Sequence, residues 1–255
     1  MTTLYNEWDA KTAAWLRELC KQGHVTNGVV DERSITELRG EDLRGYGRVH
    51  LFAGIAGWDY ALRLAGFPDD RVVWTGSCPC QPFSAAGKRK GQADERHLWP
   101  EMFRLVRECR PDTIFGEQVA SAVGHGWIDG VFADLEGIGY TCGAVVLGAH
   151  SVGAPHMRQR LWWVADAAIK RVEKLVCVQA RPTYQAGESR QAVALDARMG
   201  NSEWMDLREG MGEPGLFASS DGISEGMVRL RGYGNAIVPQ VAAAFVRAFM
   251  ESEAS

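Results

Sequence analysis

Long apolar runs are missing from this 255-residue chain, and no stretch approaches the roughly 18 residues that a bilayer-spanning helix needs. The opening residues, MTTLYNEWDAKTAAWLRELC, lack the basic flank and apolar stretch of a secretory signal, so a cytoplasmic protein is expected. Cysteines are few and scattered. Cys20, Cys78, Cys80, Cys109, Cys142 and Cys177 show no paired CxxC spacing, so no metal site is expected and most of them read as buried, reduced fillers. Positive charge is also short: 28 Lys and Arg face 32 Asp and Glu, a balance that excludes a protein coating nucleic acid indiscriminately. A local strip could still hold phosphates, and Lys88, Arg89 and Lys90 form one. Repeats and low-complexity tracts are absent. With 46% hydrophobic and 24% charged residues, the chain reads as globular, long enough for one large α/β domain or one domain with a small appendage.

Periodicity predicts a helix over residues 7–22, with Asn6 as its N-cap and Gly23 as its stop. RVHLFAGIAGWDYALRLAGF predicts a strand at about 48–53, a glycine turn and a helix ending near Gly66. RVVWTGS, DTIFGEQ, TCGAVVLGA and RLWWVAD are further strands, and LWPEMFRLVREC and WIDGVFADLEGIG are helices between them. Strands alternating with helices imply a mainly parallel sheet covered on both faces. From about 167 to 226 the periodicity fades into a loop-rich stretch, and AIVPQVAAAFVRAFM predicts a last helix over about 236–250.

Ligands of open parallel sheets sit at the carboxyl ends of the strands, so the residues there are read together. They are FAGIAG, CPCQPFS, EQV and PHMRQR. A glycine turn alone has an even chance of serving only strand-to-helix packing, and Cys80 alone would more often be a filler. Together they surround one pocket with a thiol (Cys80), a carboxylate (Glu117) and two guanidiniums (Arg158, Arg160). Cations nearby raise the thiolate fraction of a cysteine, and Pro79 and Pro82 stiffen the loop that presents it.

These motifs, in this order, with GKRKG after the thiol and GYGNAIVP near the end, resemble those of DNA cytosine-5 methyltransferases, in the compact form carried by bacteriophages and prophages. The resemblance covers about residues 48–166 and 228–249. It implies an α/β, Rossmann-like S-adenosylmethionine-dependent methyltransferase fold, a bacterial or infected host cell, and methyl transfer from S-adenosylmethionine to carbon 5 of cytosine in double-stranded DNA. Cys80 would attack carbon 6, Glu117 would hold or protonate ring nitrogen 3, and Arg158 and Arg160 would orient the base carbonyl and the thiol loop. The target base must leave the duplex, with Gln81, Ser84, Lys88, Arg89 and Lys90 serving DNA on the closing loop. Phe52, Gly54, Ile55, Gly57, Leu98, Asn235 and Ile237 would line the cofactor site. Cys78 has no role in the family pattern. The resemblance leaves open an RNA (tRNA) cytosine-5 methyltransferase, or an inactive nucleic-acid-binding module of the same fold. A monomer is expected, with a partner protein for site recognition as an open possibility.

The chain departs from the family at several points. Ala56 stands where glycine is usual, Gln118 where asparagine is usual and His156 where glutamine is usual. Only about 25 residues separate Phe52 from Cys80, leaving no room there for the second and third strands of the usual cofactor half or for its ribose-binding acid. A shortened cofactor half and a small irregular recognition insert are therefore expected. Upstream, DERSITELRGEDLRGY resembles the segment that contacts adenine, with Ser34-Ile35 in place of Asp-Ile; a polar connector with a capped turn is the favoured reading, a permuted arrangement in which residues 25–45 rebuild that pocket the alternative. The expected domains are 1–45 (N-terminal helix and connector), 46–166 (catalytic core), 167–226 (reduced recognition insert) and 227–255 (last motif and helix).

Overall fold

The computed structural model describes residues 1–79, 98–167 and 236–253. Seven strands form one sheet: β1 (Thr2–Asn6), β2 (Gly28–Asp31), β3 (Tyr46–Leu51), β4 (Val73–Gly76), β5 (Thr113–Val119), β6 (Thr141–Leu147) and β7 (Arg160–Asp166). Their order is β2-β1-β3-β4-β5-β7-β6, with only β7 antiparallel to its neighbours. The helices are α1 (Ala10–Lys21), a single turn α2 (Gly40–Leu43), α3 (Gly57–Ala65), α4 (Trp99–Cys109), α5 (Trp127–Gly137) and α6 (Pro239–Glu253). Among the described residues no helix is long and apolar enough to cross a membrane.

Two strands escaped the sequence reading. Thr2–Asn6 and Gly28–Asp31 flank α1 and extend the sheet beyond β3, so the cofactor half is not shortened. Its two outer strands come before the glycine turn in the chain instead of after it. Residues 1–31 are part of the main sheet and not an appendage. Asn6 does not cap α1: it ends β1, and its buried amide donates to the carbonyls of Asp31 (3.2 Å) and Arg33 (2.8 Å), tying β1 to the exit of β2. The cap is Asp9, whose carboxylate accepts from the Thr12 amide at 2.8 Å.

Alternation along the strands sends apolar side chains to both faces, as a sheet covered on both sides requires. Leu4, Val49, Leu51, Trp74, Ile114 and Trp163 belong to the core shared with α4 and α5. Val73, Phe115, Trp162 and Val164 pack with α3 and α6, and Tyr5 packs with α1. Gly116 lies opposite Trp163 in the β5–β7 register, and a Cβ there would fall 2.1 Å from the indole ring, so only glycine admits that packing.

One charged cluster sits inside. Asp59 of α3 is fully buried; its Oδ2 accepts from the Thr26 amide at 2.8 Å, and its Oδ1 lies 3.7 Å from His50 Nε2 and 3.9 Å from Arg48. Burial pushes the Asp59 carboxyl up, but the neighbouring His50 and the Thr26 amide outweigh it and hold it at about 2. The cluster ties the segment before β2 to the helix that follows the glycine turn.

Candidate active site

The carboxyl ends of β1, β3, β4 and β5 converge where the strand order reverses direction, between β3 and β4, the usual ligand position in such sheets. After β3 the chain turns through Phe52 (φ 54°), Gly54 (φ 55°) and Ala56 (φ 62°) before α3 begins. Ala56 therefore does occupy the left-handed region where the family's glycine is usual, a strain of about 1–2 kcal/mol held by a buried position packed with α1 and Tyr5. A Cβ on Gly54 would meet nothing within 4 Å, so the turn borders open space. One on Gly57 would come within 2.9 Å of Ile237 Cγ1. The first and last motifs thus meet, as do the last motif and the arginine motif, since Arg158 Nη2 donates to the Ala236 carbonyl at 2.7 Å.

Glu117 leaves β5 almost fully buried, with its Oε1 2.8 Å from Arg160 Nε at the start of β7. Burial pushes this carboxyl up; Arg160, Arg158 and the Ser77 hydroxyl pull it back only in part, so it holds a proton above the ordinary range. Arg158, at φ 23°, is pulled down by its own burial and by the like charge of Arg160. Two arginines and one carboxyl in a half-buried recess can grip a planar, polar ring and pass a proton to one of its nitrogens. His156, Arg158, Ala236, Ile237 and Val238 line a cavity of about 400 Å³ beside them.

Gln118 holds the chain at the exit of β4: its Nε2 donates to the Cys78 carbonyl at 3.2 Å, and its Oε1 accepts from the Val119 amide at 3.0 Å. Cys78 is buried with Sγ 3.7 Å from Met102 Sδ, the packing of a core filler. Leu98 and Phe52 are half-buried against the core beneath α4. Ile55 is half-buried in the turn. Cys80, Gln81, Ser84, Lys88, Arg89, Lys90 and Asn235 lie outside the described residues.

Two residues missed in the sequence stand at the carboxyl end of β1. Glu7 Oε2 accepts from the Gly54 amide at 2.8 Å and Oε1 from the Asp9 amide at 3.0 Å, while Trp8 is 76% exposed. Burial raises the Glu7 carboxyl despite both amide bonds. An acid on the glycine turn beside an exposed indole offers an acceptor to ribose hydroxyls and a ring face on which a purine could stack. The signal was available as Asn-Glu-Trp-Asp, but only a strand ending at Asn6 gives it meaning. Asp31, at the end of β2, is held low by its pairing with Arg33, 2.7 Å away. Ile35 lies in the core, 3% exposed, and so does not face a pocket.

The sheet order, the glycine turn and the acids beside it are consistent with the class of S-adenosylmethionine-dependent methyltransferases. A family model for the C-5 cytosine-specific DNA methylase matches residues 65–176. The match begins after β3, downstream of the two rearranged strands. The chain is 27% identical over 168 residues to the Type II methyltransferase M.HhaI of Haemophilus parahaemolyticus, covering 50% of this chain and 51% of that protein. It is 35% identical over 127 residues to M.NgoMIV of Neisseria gonorrhoeae, covering 47% and 36%. The matches thus span about half the length of these relatives or less. Among solved structures, Dnmt2 methyltransferase of S. pombe aligns with a TM-score of 0.43 at 15% identity over 67% of this chain and 52% of that one. The chain is thus similar to C-5 cytosine-specific DNA methylases over residues 65–176 and to Type II methyltransferases over about half its length.

Proposed function

We propose that this protein methylates carbon 5 of cytosine in DNA, with S-adenosylmethionine as methyl donor. The observation that carries the reading is the buried Glu117 carboxyl, gripped by Arg160 and neighboured by Arg158, at the strand ends that face the glycine turn. A carboxyl that keeps its proton can donate to cytosine N3, an acceptor in the neutral base. The arginines supply donors for the carbonyl at carbon 2.

Cys80, two residues beyond the Cys78 whose carbonyl Gln118 holds, is the nucleophile. Its thiolate would add to carbon 6, pushing the electron pair of the 5,6 double bond to carbon 5 and making that carbon nucleophilic toward the methyl group, whose bond to the donor's sulfur would break as the new one forms and leave a neutral thioether. Glu117 offsets the charge by hydrogen bonding at N3. Transfer of the carbon 5 proton to solvent water would then restore the double bond and expel the thiolate.

Glu7, Trp8, Gly54 and Gly57 would hold the cofactor, with Phe52, Ile55, Leu98, Asn235 and Ile237 around them. When bound, S-adenosylmethionine supplies the electrophilic methyl. The open space at Gly54 and the acid on its amide fit such a ligand. Gln81, Ser84, Lys88, Arg89 and Lys90 serve the DNA, whose target base must be turned out of the stack. The 1–45, 46–166, 167–226 and 227–255 division is kept as a functional one, with the first segment contributing adenosine contacts. The protein acts as a cytoplasmic monomer.

The test is transfer of labelled methyl groups from S-adenosylmethionine to unmethylated bacterial DNA, with transfer RNA as competitor and Cys80→Ala as control. Label in DNA that disappears with the variant is the expected result. Label confined to transfer RNA, or none from folded protein, refutes the reading.

A further inference from the structure

The two arginines of PHMRQR take different partners in the fold. Arg160 opens β7 with its Nε 2.8 Å from Glu117 Oε1. Arg158, two residues earlier, reaches instead to the last motif: its Nη2 donates to the Ala236 carbonyl at 2.7 Å, across 78 residues of chain. A guanidinium on a carbonyl makes a charge-assisted bond, stronger than a neutral one and directed by the planar fork. The Arg158 backbone stands at φ 23°, a region that a residue with a side chain adopts only where its surroundings hold it. What the bond holds is the start of the last motif. Ile237 is 8% exposed, and a Cβ built on Gly57, the first residue of α3, would fall 2.9 Å from its Cγ1. The next carbonyl, that of Val238, accepts from the Val241 and Ala242 amides at 3.1 and 3.2 Å as α6 begins. Residues 236–238 are thus fixed at three points: Arg158, Gly57 and the first turn of α6. The same bond joins the two walls of the cavity of about 400 Å³, His156 and Arg158 on one side and Ala236, Ile237 and Val238 on the other.

We propose that Arg158 is a positioning residue for the cofactor: its bond to Ala236 sets Ile237 against Gly57 and so fixes the wall of the site beside the glycine turn. The inference rests on the reading that S-adenosylmethionine binds at that turn, and it gives Arg158 a task besides the base carbonyl. Gly57 has no side chain of its own to keep Ile237 in place, so the position of Ile237 depends on how residues 236–238 are held from the other side. Loss of the Arg158 donor frees that segment. The effect falls on cofactor affinity before any base is present, whereas Arg160, bound to Glu117, acts on the base end of the site.

The experiment is calorimetric titration of the full chain with S-adenosylmethionine in the absence of DNA. Arg158→Met, which keeps the stem and loses the donors, is expected to weaken binding about tenfold, the lower end for a hydrogen bond to a charged group. Ile237→Ala is expected to weaken it by a similar factor, and the double variant by no more than either single one, because Arg158 acts through Ile237. Losses that multiply in the double variant would place Arg158 on the cofactor itself or in general support of the fold, and overturn the proposal. Should Arg158→Met not fold, Arg158→Lys keeps the charge, ends one bond short of the carbonyl and is expected to weaken binding likewise. Wild-type affinity in either folded variant overturns the proposal. Hydrogen exchange of the free protein separates this inference from the cofactor reading: in Arg158→Met the Val241 and Ala242 amides should exchange about tenfold faster, with those of β6 unchanged. Unchanged exchange at both amides overturns the proposal. A wild type that binds no S-adenosylmethionine overturns the cofactor reading, and the exchange rates then decide whether Arg158 holds the last motif.

Discussion

Replacing Arg160 by methionine keeps much of the side-chain volume and deletes the cation that faces Glu117. The pair sits in a half-buried setting, with side chains 23% and 11% exposed and 2.8 Å between Nε and Oε1. At an effective dielectric near 20, charges about 4 Å apart attract by about 4 kcal/mol. Relief of the Arg158–Arg160 repulsion and of the Arg160 desolvation returns part of this, leaving a net penalty of about 2–3 kcal/mol when Glu117 is charged. The penalty must depend on pH. Burial already raises Glu117 in the fold, so its ionisation costs stability as pH climbs from the unfolded carboxylate value through the folded one. Loss of Arg160 raises the folded value further and deepens that fall. The variant is therefore expected to match the wild type near pH 4 and to melt about 5–10 °C lower at pH 8, as followed by circular dichroism. Adding Glu117→Gln to both proteins should abolish the pH dependence of the difference. A penalty of the same size at pH 4 and pH 8 would refute the assignment of Glu117 as the group that Arg160 compensates.

Three further perturbations test other parts of the structure. Gly116→Ala drives a Cβ into the buried indole of Trp163 and should cost about 3 kcal/mol or more in chemical denaturation, whereas Gly130→Ala in α5, with nothing within 4 Å of the new methyl, should gain about 0.5–1 kcal/mol. Equal effects would show that β5 and β7 are not packed as described. Glu7→Gln and Trp8→Ala should each weaken S-adenosylmethionine binding at least tenfold by calorimetry, with unfolding midpoints within a few degrees of the wild type; unchanged affinity would remove β1 from the cofactor site. Asp59, held at about 2, contributes stability that is full above the ordinary aspartate value near 3.8 and lost as pH falls toward 2. Asp59→Asn should therefore be destabilised by about 2–3 kcal/mol at neutral pH and show a flatter acid limb, and an unchanged limb would place the acid sensitivity elsewhere.

The five strands from β3 to β7, the glycine turn, and the placing of Glu117, Arg158 and Arg160 at one end of one sheet were legible in the amino-acid pattern. Those features depend on local pattern: buried strands read as apolar runs, α4 is closed by Arg110 and Pro111, and residues at strand ends share a side because parallel strands share a direction. β1 and β2 were invisible because, unlike the equally short but fully buried β4, TTLYN and GVVD hold no apolar run to mark them, and the pairing of β1 with β3 depends on contacts far along the chain. Tertiary structure alone decided that these strands extend the sheet from upstream. That placement brings the Glu7 carboxylate to the Gly54 amide, 47 residues away, and makes Asn6 a tie between strands instead of a helix cap. It also set the Trp58 indole against the Ser77 hydroxyl and Arg160 against Glu117, since bonds between side chains on different elements follow from packing geometry that no local spacing encodes.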